Sequence, residues 1–299
     1  MQKKIAVIND LSGYGRCSLT VAIPVLSAMG HQCCPIPTAI LSNHTEFPVY
    51  FFDDYTEKMT TYTDKWKELG LSFDAIATGF LGSEAQIGIV MEIVQKLKAE
   101  KTFVVVDPVM GDHGHAYETY TPEMCEQMKE LVCMADVVLP NVTECCILTD
   151  TPYREENWTR KELLNMAMML RLMGAKSVVI TGVREGSCYT NVVLEQGQYD
   201  AKFIRTRSSG GERPGTGDVF SSVVAGALLN GKSLPEAVSQ AAGFVKECIK
   251  VSDEEQIPHA NGVCFEKILG KLIKKVGEIP FLFSAKYVIF LPKRVFTRQ

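Results

Sequence analysis

This chain lacks the features that would place it in a membrane or on nucleic acid. It contains no apolar run approaching the roughly 20 residues that a membrane-spanning helix needs. Acidic residues outnumber basic ones, and a net charge of −4 argues against a nucleic-acid-binding surface. The apolar run after Lys3 and Lys4 is too short for a secretory signal. We therefore expect a soluble, cytoplasmic protein.

The cysteine pattern lacks the spacing of a metal site or of a disulfide framework. The sequence has ten cysteines but no Cys-x-x-Cys, and the pairs at 33–34 and 145–146 are adjacent in the chain. Most of the cysteines lie among apolar residues, which is typical of small buried thiols in a reducing compartment. His113 and His115 stand on a glycine-containing loop with no third ligand at a suitable spacing, so we interpret them as loop polar groups.

Two familiar nucleotide-binding motifs are also missing. No Gly-x-x-x-x-Gly-Lys-[Ser/Thr] occurs, which excludes a P-loop kinase. Gly13-x-Gly15 begins like a dinucleotide fingerprint, but Ser18 stands where the third glycine should be. No acidic residue closes a second strand at the expected distance, so a nicotinamide site is disfavoured.

The sequence does contain a regular alternation of strand-like and helix-like segments. Short β-branched runs such as 103–106 are typical of strands buried on both faces of a sheet. Repeated strand–helix units predict a mainly parallel sheet covered on both faces, with functional loops at the carboxyl ends of the strands. The predicted strands are 4–8, 32–40, 74–78, 103–106, 137–139, 177–181, 188–194 and 199–205. The predicted helices are 18–29, 55–69, 84–98, 122–134, 160–173, 217–229, 234–250 and 264–276.

No linker-like, low-complexity or repeated segment interrupts this alternation, so we expect a single domain over residues 1–280. Residues 281–299 are apolar and basic without a clear helical or strand period, and their role is open. Such a segment is too apolar to remain solvated without a partner surface. We expect it to pack on the outside of the domain or on a second subunit.

Polar residues collect just after the predicted strands. Asp107 follows the strand at 103–106, and Asn141 and Glu144 follow the strand at 137–139. Because neighbouring parallel strands end at one edge of a sheet, these oxygen donors are expected to meet there and to suit Mg²⁺. Each residue also has an ordinary interpretation as a turn or helix cap, and it is their joint placement that favours a site.

The most informative stretch is 213–218, Arg-Pro-Gly-Thr-Gly-Asp, which runs directly into an apolar helical segment. Gly215 and Gly217 allow main-chain N–H groups to come close to a ligand, and a helix N-terminus favours an anion. Asp218, in the first turn, is placed to act as a general base for a hydroxyl group that attacks a phosphate. The alternative is an ordinary glycine turn with an aspartate that caps the helix.

Five stretches carry a family resemblance. In chain order they are 10–15 (Asp-Leu-Ser-Gly-Tyr-Gly), 41–45 (Leu-Ser-Asn-His-Thr), 107–111 (Asp-Pro-Val-Met-Gly), 140–144 (Pro-Asn-x-x-Glu) and 215–218 (Gly-Thr-Gly-Asp). Together they resemble the ribokinase-like superfamily and, within it, the pyridoxal/pyridoxamine kinase (vitamin B6 kinase) family. The resemblance implies an α/β fold, a three-layer α/β/α sandwich with a central mainly parallel sheet. It also implies ATP, Mg²⁺, a monovalent cation such as K⁺, and a homodimer.

The resemblance implies roles for individual residues as well. Asp218 would take the proton from the 5′-hydroxymethyl group of pyridoxal, pyridoxamine or pyridoxine. The anion hole would comprise Gly215, Thr216 and Gly217. The substrate ring would meet Asp10, Ser12, His44 and Thr45. Mg·ATP would meet Asp107, Asn141, Glu144, Thr181 and Gly182, with Asp107 and Glu144 serving the metal, and the loop 112–115 would close over the phosphates. Many kinases of this family have Ser-His where Asn9-Asp10 stand, which leaves the ring contacts at the first strand open.

Other functions fit less well. Hydroxymethylpyrimidine kinases share the fold, but they often carry cysteine at the position of Asp218, so the aspartate and the 42–45 motif favour vitamin B6. A sugar or nucleoside kinase is disfavoured because no Asn/Asp-rich sugar-binding pattern is evident near the N-terminus. A non-catalytic pyridoxal-phosphate-binding protein would not need Asp218 or the Mg²⁺ cluster. The sequence does not rank the three B6 vitamers.

Overall fold

A nine-stranded sheet forms the centre of the computed structural model, which describes residues 2–273. In chain order its strands are β1 (Lys4–Tyr14), β2 (Gln32–Asn43), β3 (Phe52–Asp54), β4 (Ala75–Thr78), β5 (Phe103–Val106), β8 (Val137–Val138), β9 (Ser177–Glu185), β10 (Cys188–Leu194) and β11 (Lys202–Arg207). Two further strands, β6 (Gly111–Asp112) and β7 (His115–Ala116), form a separate small hairpin.

The strand order is β11-β10-β9-β8-β5-β4-β1-β2-β3. The central pairs from β9 to β2 are parallel, whereas β3, β10 and β11 join the sheet antiparallel at its two sides. The chain moves from β1 to β2 in one direction and later returns to β4 on the other side of β1. Such a reversal opens a crevice beyond the carboxyl ends of the two strands, where α/β proteins bind ligands.

Helices cover both faces of the sheet, which confirms the predicted three-layer arrangement. They are α1 (Ser18–Ala28), α2 (Thr56–Glu68), α3 (Glu84–Leu97), α4 (Pro122–Cys133), α5 (Val142–Leu148), α6 (Arg160–Met173), α7 (Thr216–Leu229) and α8 (Leu234–Glu254). Alternate residues of β1 supply two separate cores: Ala6 and Ile8 pack with the layer that contains α2 to α6, and Ile5 and Val7 pack with α1, α7 and α8. No helix within residues 2–273 combines the length and apolarity needed to cross a membrane.

Several element boundaries differ from the prediction. Strand β1 continues to Tyr14 because β2 pairs with it as far as Asn43, with an irregularity between Asn9 and Leu11. The polar residues expected in a loop after a strand ending at residue 8 therefore lie in the strand itself. A bulge of this kind redirects side chains at a sheet edge.

Short elements escaped prediction for local reasons. Helix α5 was not among the predicted helices, yet Asn141 and Glu144 form a reciprocal capping box that starts it. The helix predicted at 264–276 is a 3₁₀ helix at Glu266–Leu272, with Gly270 disfavouring a longer α-helix. A second 3₁₀ turn lies at His259–Asn261. The tail at 281–299 lies outside the described residues.

Candidate active site

Helix α7 begins at the crevice, and its first turn carries the predicted catalytic residue. Gly215 is the N-cap and has a left-handed backbone with φ of 78°. A Cβ atom there would lie 1.8 Å from the carbonyl oxygen of Arg16, so both the conformation and the space require glycine. Gly217 is exposed, and a Cβ atom there would meet no atom within 4 Å. The main chain at Gly217 is thus open to an anion, whereas the N–H of Thr216 donates to the carbonyl of Arg213 at 3.4 Å.

The carboxylate of Asp218 is held by donors from another part of the chain. Nδ2 of Asn9 donates to its Oδ1 at 3.2 Å, and the backbone N–H of Ser18 interacts with the carboxylate and lowers its pKa. Burial and the negative charge of Asp10 together raise the pKa of Asp218 to about 6, although the contacts with Ser18 and Asn9 lower it. A carboxylate with a pKa near neutrality is well suited to accept a proton from a hydroxyl group.

Asp10 and Ser12 are more deeply buried than a direct substrate contact suggests. Asp10 is 5% exposed and Ser12 is 1% exposed. Both oxygens of the Asp10 carboxylate accept hydroxyl hydrogen bonds, Oδ2 from Ser12 at 2.8 Å and Oδ1 from Ser18 at 2.5 Å. Burial raises the pKa of Asp10, and these two hydrogen bonds lower it. The two residues lie under the crevice beside Asp218.

Asp107 and Glu144, predicted to meet at the sheet edge, are indeed close enough to affect each other's charge. Oε1 of Glu144 accepts from the N–H of Met110 at 2.9 Å, and Oε2 accepts from the N–H of Asn141 at 2.8 Å. Burial raises the pKa of Glu144 to about 7. Burial also raises the pKa of Asp107 well above its usual value, and the negative charges of Glu144 and Asp218 add to this effect. The hydroxyl of Ser221 opposes it by hydrogen bonding to Asp107.

The donor set around Asp107 and Glu144 fits Mg²⁺ that is shared with a nucleotide. Within residues 2–273, no lysine or arginine forms an ion pair with either carboxylate, and no three acidic, histidine or cysteine side chains cluster closely enough to enclose a metal. Protein-bound Mg²⁺ usually takes one or two carboxylates together with substrate phosphates and water. Two carboxylates without a basic ion-pair partner among the described residues, near the glycine turn that starts α7, meet that requirement.

The substrate loop predicted after β2 is anchored by His44. This side chain is 8% exposed, and its Nε2 lies 2.7 Å from the carbonyl oxygen of Ala260. It packs over Gly15, where a Cβ atom would lie 2.3 Å from the imidazole ring, and its ring centroid is 4.8 Å from that of Phe47. Gly15 is therefore required by packing against His44. The neighbouring Thr45 is exposed.

The predicted nucleotide contacts lie farther along the sheet. Thr181 and Gly182 belong to β9, which β8, β5 and β4 separate from β1. The N–H of Thr181 donates to the carbonyl of Pro140 at 2.8 Å. Among the described residues, no hydrogen bond links Thr181 to Asp218. In the turn between β6 and β7, Nε2 of His113 lies 3.2 Å from Oε2 of Glu212.

Three residues that contact the carboxylates of Asp218 and Asp107 were not predicted from the sequence. Asn9 stood among the polar residues after the first strand but received no role. Ser221 had a detectable signal, because it lies three residues after Asp218 on the same face of a predicted helix. Ser18 gave no signal, since its contact with Asp218 depends on how α1 and α7 meet.

Comparisons with known proteins relate this geometry to enzymes. The family model for phosphomethylpyrimidine kinase matches residues 23–264. A pyridoxine/pyridoxal/pyridoxamine kinase from Bordetella avium is 26% identical over 260 residues, covering 82% of this chain and 84% of its own length. A hydroxymethylpyrimidine/phosphomethylpyrimidine kinase from Aquifex aeolicus is 32% identical over 174 residues, covering 58% of this chain and 66% of its own length. A crystal structure with pyridoxal, from a candidate phosphomethylpyrimidine kinase of Bacteroides thetaiotaomicron, has a TM-score of 0.87 and 39% identity, covering 93% of this chain and 98% of that one.

Proposed function

Because this chain belongs to the phosphomethylpyrimidine kinase family, we propose that it transfers the γ-phosphoryl group of ATP to the 5′-hydroxymethyl group of pyridoxal, pyridoxamine or pyridoxine. The observation that carries the proposal is the carboxylate of Asp218 in the first turn of α7, beside the glycine turn and with a pKa of about 6. The family resemblance and the fold expected from the motifs are both confirmed.

The proposed reaction uses the groups at the start of α7. Asp218 accepts the proton of the hydroxymethyl group as its oxygen bonds to the γ-phosphorus, and the bond to the ADP oxygen breaks. The N–H groups of Gly215, Thr216 and Gly217 stabilise the negative charge on the phosphoryl oxygens. His44 and Thr45 are the proposed contacts of the substrate ring from the loop after β2.

The other site residues are proposed to hold the nucleotide. Asp107 and Glu144 would bind Mg²⁺, directly or through water, and Mg²⁺ would offset the charge of the ATP phosphates. Asn141 is proposed beside the phosphates, and Thr181 and Gly182 are proposed farther along the nucleotide. The family resemblance adds a monovalent cation such as K⁺ and a homodimer to the proposal.

Hydroxymethylpyrimidine kinase is the second candidate function. The matching family model is that of phosphomethylpyrimidine kinase, and the Aquifex aeolicus relative is a hydroxymethylpyrimidine/phosphomethylpyrimidine kinase. The pyridoxal in the crystals of the Bacteroides thetaiotaomicron relative, at 39% identity, supports the vitamin B6 function instead. The aspartate at position 218 agrees with that choice.

An ATP-consumption assay across pyridoxal, pyridoxamine, pyridoxine and hydroxymethylpyrimidine separates the candidates. The expected result is a kcat/KM that is higher for at least one B6 vitamer than for hydroxymethylpyrimidine. The Asp218→Asn variant is the control for ATP hydrolysis that does not depend on the acceptor. A clear preference for hydroxymethylpyrimidine would overturn the vitamin B6 proposal, and no turnover with any acceptor would overturn both.

A further inference from the structure

Four residues form a ring of polar contacts beneath the proposed base. Asn9 Nδ2 donates to Asp218, and Asn9 Oδ1 accepts from the N–H of Asp10 at 3.0 Å. The hydroxyl of Ser18 donates to Oδ1 of Asp10 at 2.5 Å, and the backbone N–H of Ser18 interacts with Asp218 and lowers the pKa of that carboxyl. The ring therefore connects the Asp10 carboxylate to the Asp218 carboxylate through Ser18.

Ser18 is the strained member of this ring. Its φ is 53°, in the left-handed region that residues other than glycine seldom adopt. Strain of this kind persists only where surrounding contacts impose it. The contact that the structure provides for the Ser18 side chain is its hydrogen bond to Asp10, within a site where Ser18 is 6% exposed and Asp10 is 5% exposed.

Resting on the proposed function, we propose that Asp10 is a positioning residue: it holds Ser18 in the left-handed conformation that directs the Ser18 N–H at Asp218. In this arrangement Asp10 acts on the base through Ser18, in addition to the direct effect of its negative charge, which raises the pKa of Asp218. Both of its carboxylate oxygens already accept hydroxyl groups of the protein, from Ser12 and Ser18. A carboxylate that instead contacted the substrate ring would govern substrate affinity.

The two roles predict different kinetics. For Asp10→Ala, we expect kcat to fall roughly tenfold, the usual scale for one hydrogen bond to a charged group, with KM for the vitamer within about twofold of wild type. Ser18→Ala is expected to behave in the same way, since it loses the same hydrogen bond while its backbone keeps the strain. The double variant should lose no more than either single variant, because both changes break one connection.

A glycine at position 18 provides the rescue. Glycine adopts a φ of about 50° without strain, so its N–H can reach Asp218 without help from the side chain. Ser18→Gly should therefore be more active than Ser18→Ala. Adding Asp10→Ala to Ser18→Gly should lower the pKa of Asp218, because the charge of Asp10 is lost, and should change kcat on the plateau above that pKa by less than about twofold. Thr20→Ala is the matched control, since the Thr20 hydroxyl also lies in the first turn of α1 but donates to the carbonyl of Cys17. It should retain wild-type kcat.

A crystal structure of Asp10→Ala supplies a measurement that does not depend on turnover. The expected result is that Ser18 leaves the left-handed region and its N–H no longer reaches Asp218. If the wild-type protein phosphorylated no B6 vitamer, the proposed function would fail while this structure still decided the role of Asp10. An Asp10→Ala variant with Ser18 unmoved would overturn the positioning role. So would a KM for the vitamer that Asp10→Ala raises both in the wild-type background and in the Ser18→Gly background.

Discussion

Asn9 donates a hydrogen bond from Nδ2 to Oδ1 of Asp218 at 3.2 Å, although 209 positions separate the two residues in the chain. The orientation of the Asn9 amide is fixed, because its Oδ1 accepts from the N–H groups of Asp10 and Phe80. Gly79 makes room for it, since a Cβ atom there would lie 2.4 Å from Nδ2. Strand β1 thus presents a donor, and not an acceptor, to the proposed base.

We expect Asp218→Asn to lower kcat by roughly 10²–10⁴-fold, the usual contribution of a general base, because an amide does not accept the proton. Binding of ATP, measured by calorimetry, should remain close to wild type. The substitution should not lower the stability of the folded protein. Since the pKa of Asp218 is raised from 3.8 to about 6, its ionisation costs stability as the pH rises through that range. At pH 8 the melting temperature of the variant should therefore equal or exceed that of wild type. A kcat above about a tenth of wild type would contradict the assignment of Asp218 as the base.

The titration of Asp218 gives a second prediction. In the free protein, ¹³C NMR of its carboxyl carbon should show a midpoint near pH 6, because burial and the charge of Asp10 disfavour the ionised form. Activity should accordingly fall as the pH decreases through about 6, where the base becomes protonated. Asn9→Ala removes a hydrogen bond that stabilises the charged carboxylate, so its midpoint should move to higher pH. A midpoint near 4 in wild type would contradict the prediction.

The sequence was sufficient to predict the layered parallel fold because buried β-branched runs alternate with helical periods along the chain. It was also sufficient to predict that Asp107 and Glu144 lie near each other, since neighbouring parallel strands end at one edge of the sheet. It did not predict that β1 runs on to Tyr14, because that extension depends on pairing with β2 and not on residue type.

The support beneath the proposed base was beyond prediction for a related reason. Ser18 and Asp218 are neighbours only once α1 and α7 have packed on the same face of the sheet. Asp10 and Ser12 of the first strand were expected to face a ligand. A sequence pattern does not show that such polar groups form hydrogen bonds with one another instead. The bulge after Asn9 places Asp10 and Ser12 inward, where they bond to the protein.

The proposed Mg²⁺ site leads to a prediction for Glu144→Gln. We expect the Mg²⁺ concentration for half-maximal rate to rise by about tenfold, the lower range for loss of a group that orients or binds a metal.

Glu162→Gln is the matched control for Glu144→Gln. Glu162 forms the same kind of capping box with Thr159 at the start of α6, where it is proposed to have no role in catalysis. This variant should keep the wild-type Mg²⁺ titration. If the titration of Glu144→Gln coincided with that of wild type, Glu144 would have no part in binding the metal.

The two glycines of the anion-binding turn should respond differently to alanine. Gly215→Ala is expected to lower the free energy of unfolding by more than about 1 kcal/mol, because alanine is strained at positive φ and would clash with the carbonyl of Arg16.

Gly217→Ala should leave the protein as stable as wild type or more stable by about 0.5–1 kcal/mol, since Gly217 lies in the first turn of α7 with open space around the added methyl. That methyl would nevertheless occupy the space proposed for the γ-phosphoryl group. Urea unfolding and steady-state kinetics on both variants test this, and the expected result for Gly217→Ala is a fully stable protein with a raised KM for ATP or a lowered kcat. A Gly217→Ala variant with wild-type kinetics would show that phosphate does not approach the main chain at the start of α7.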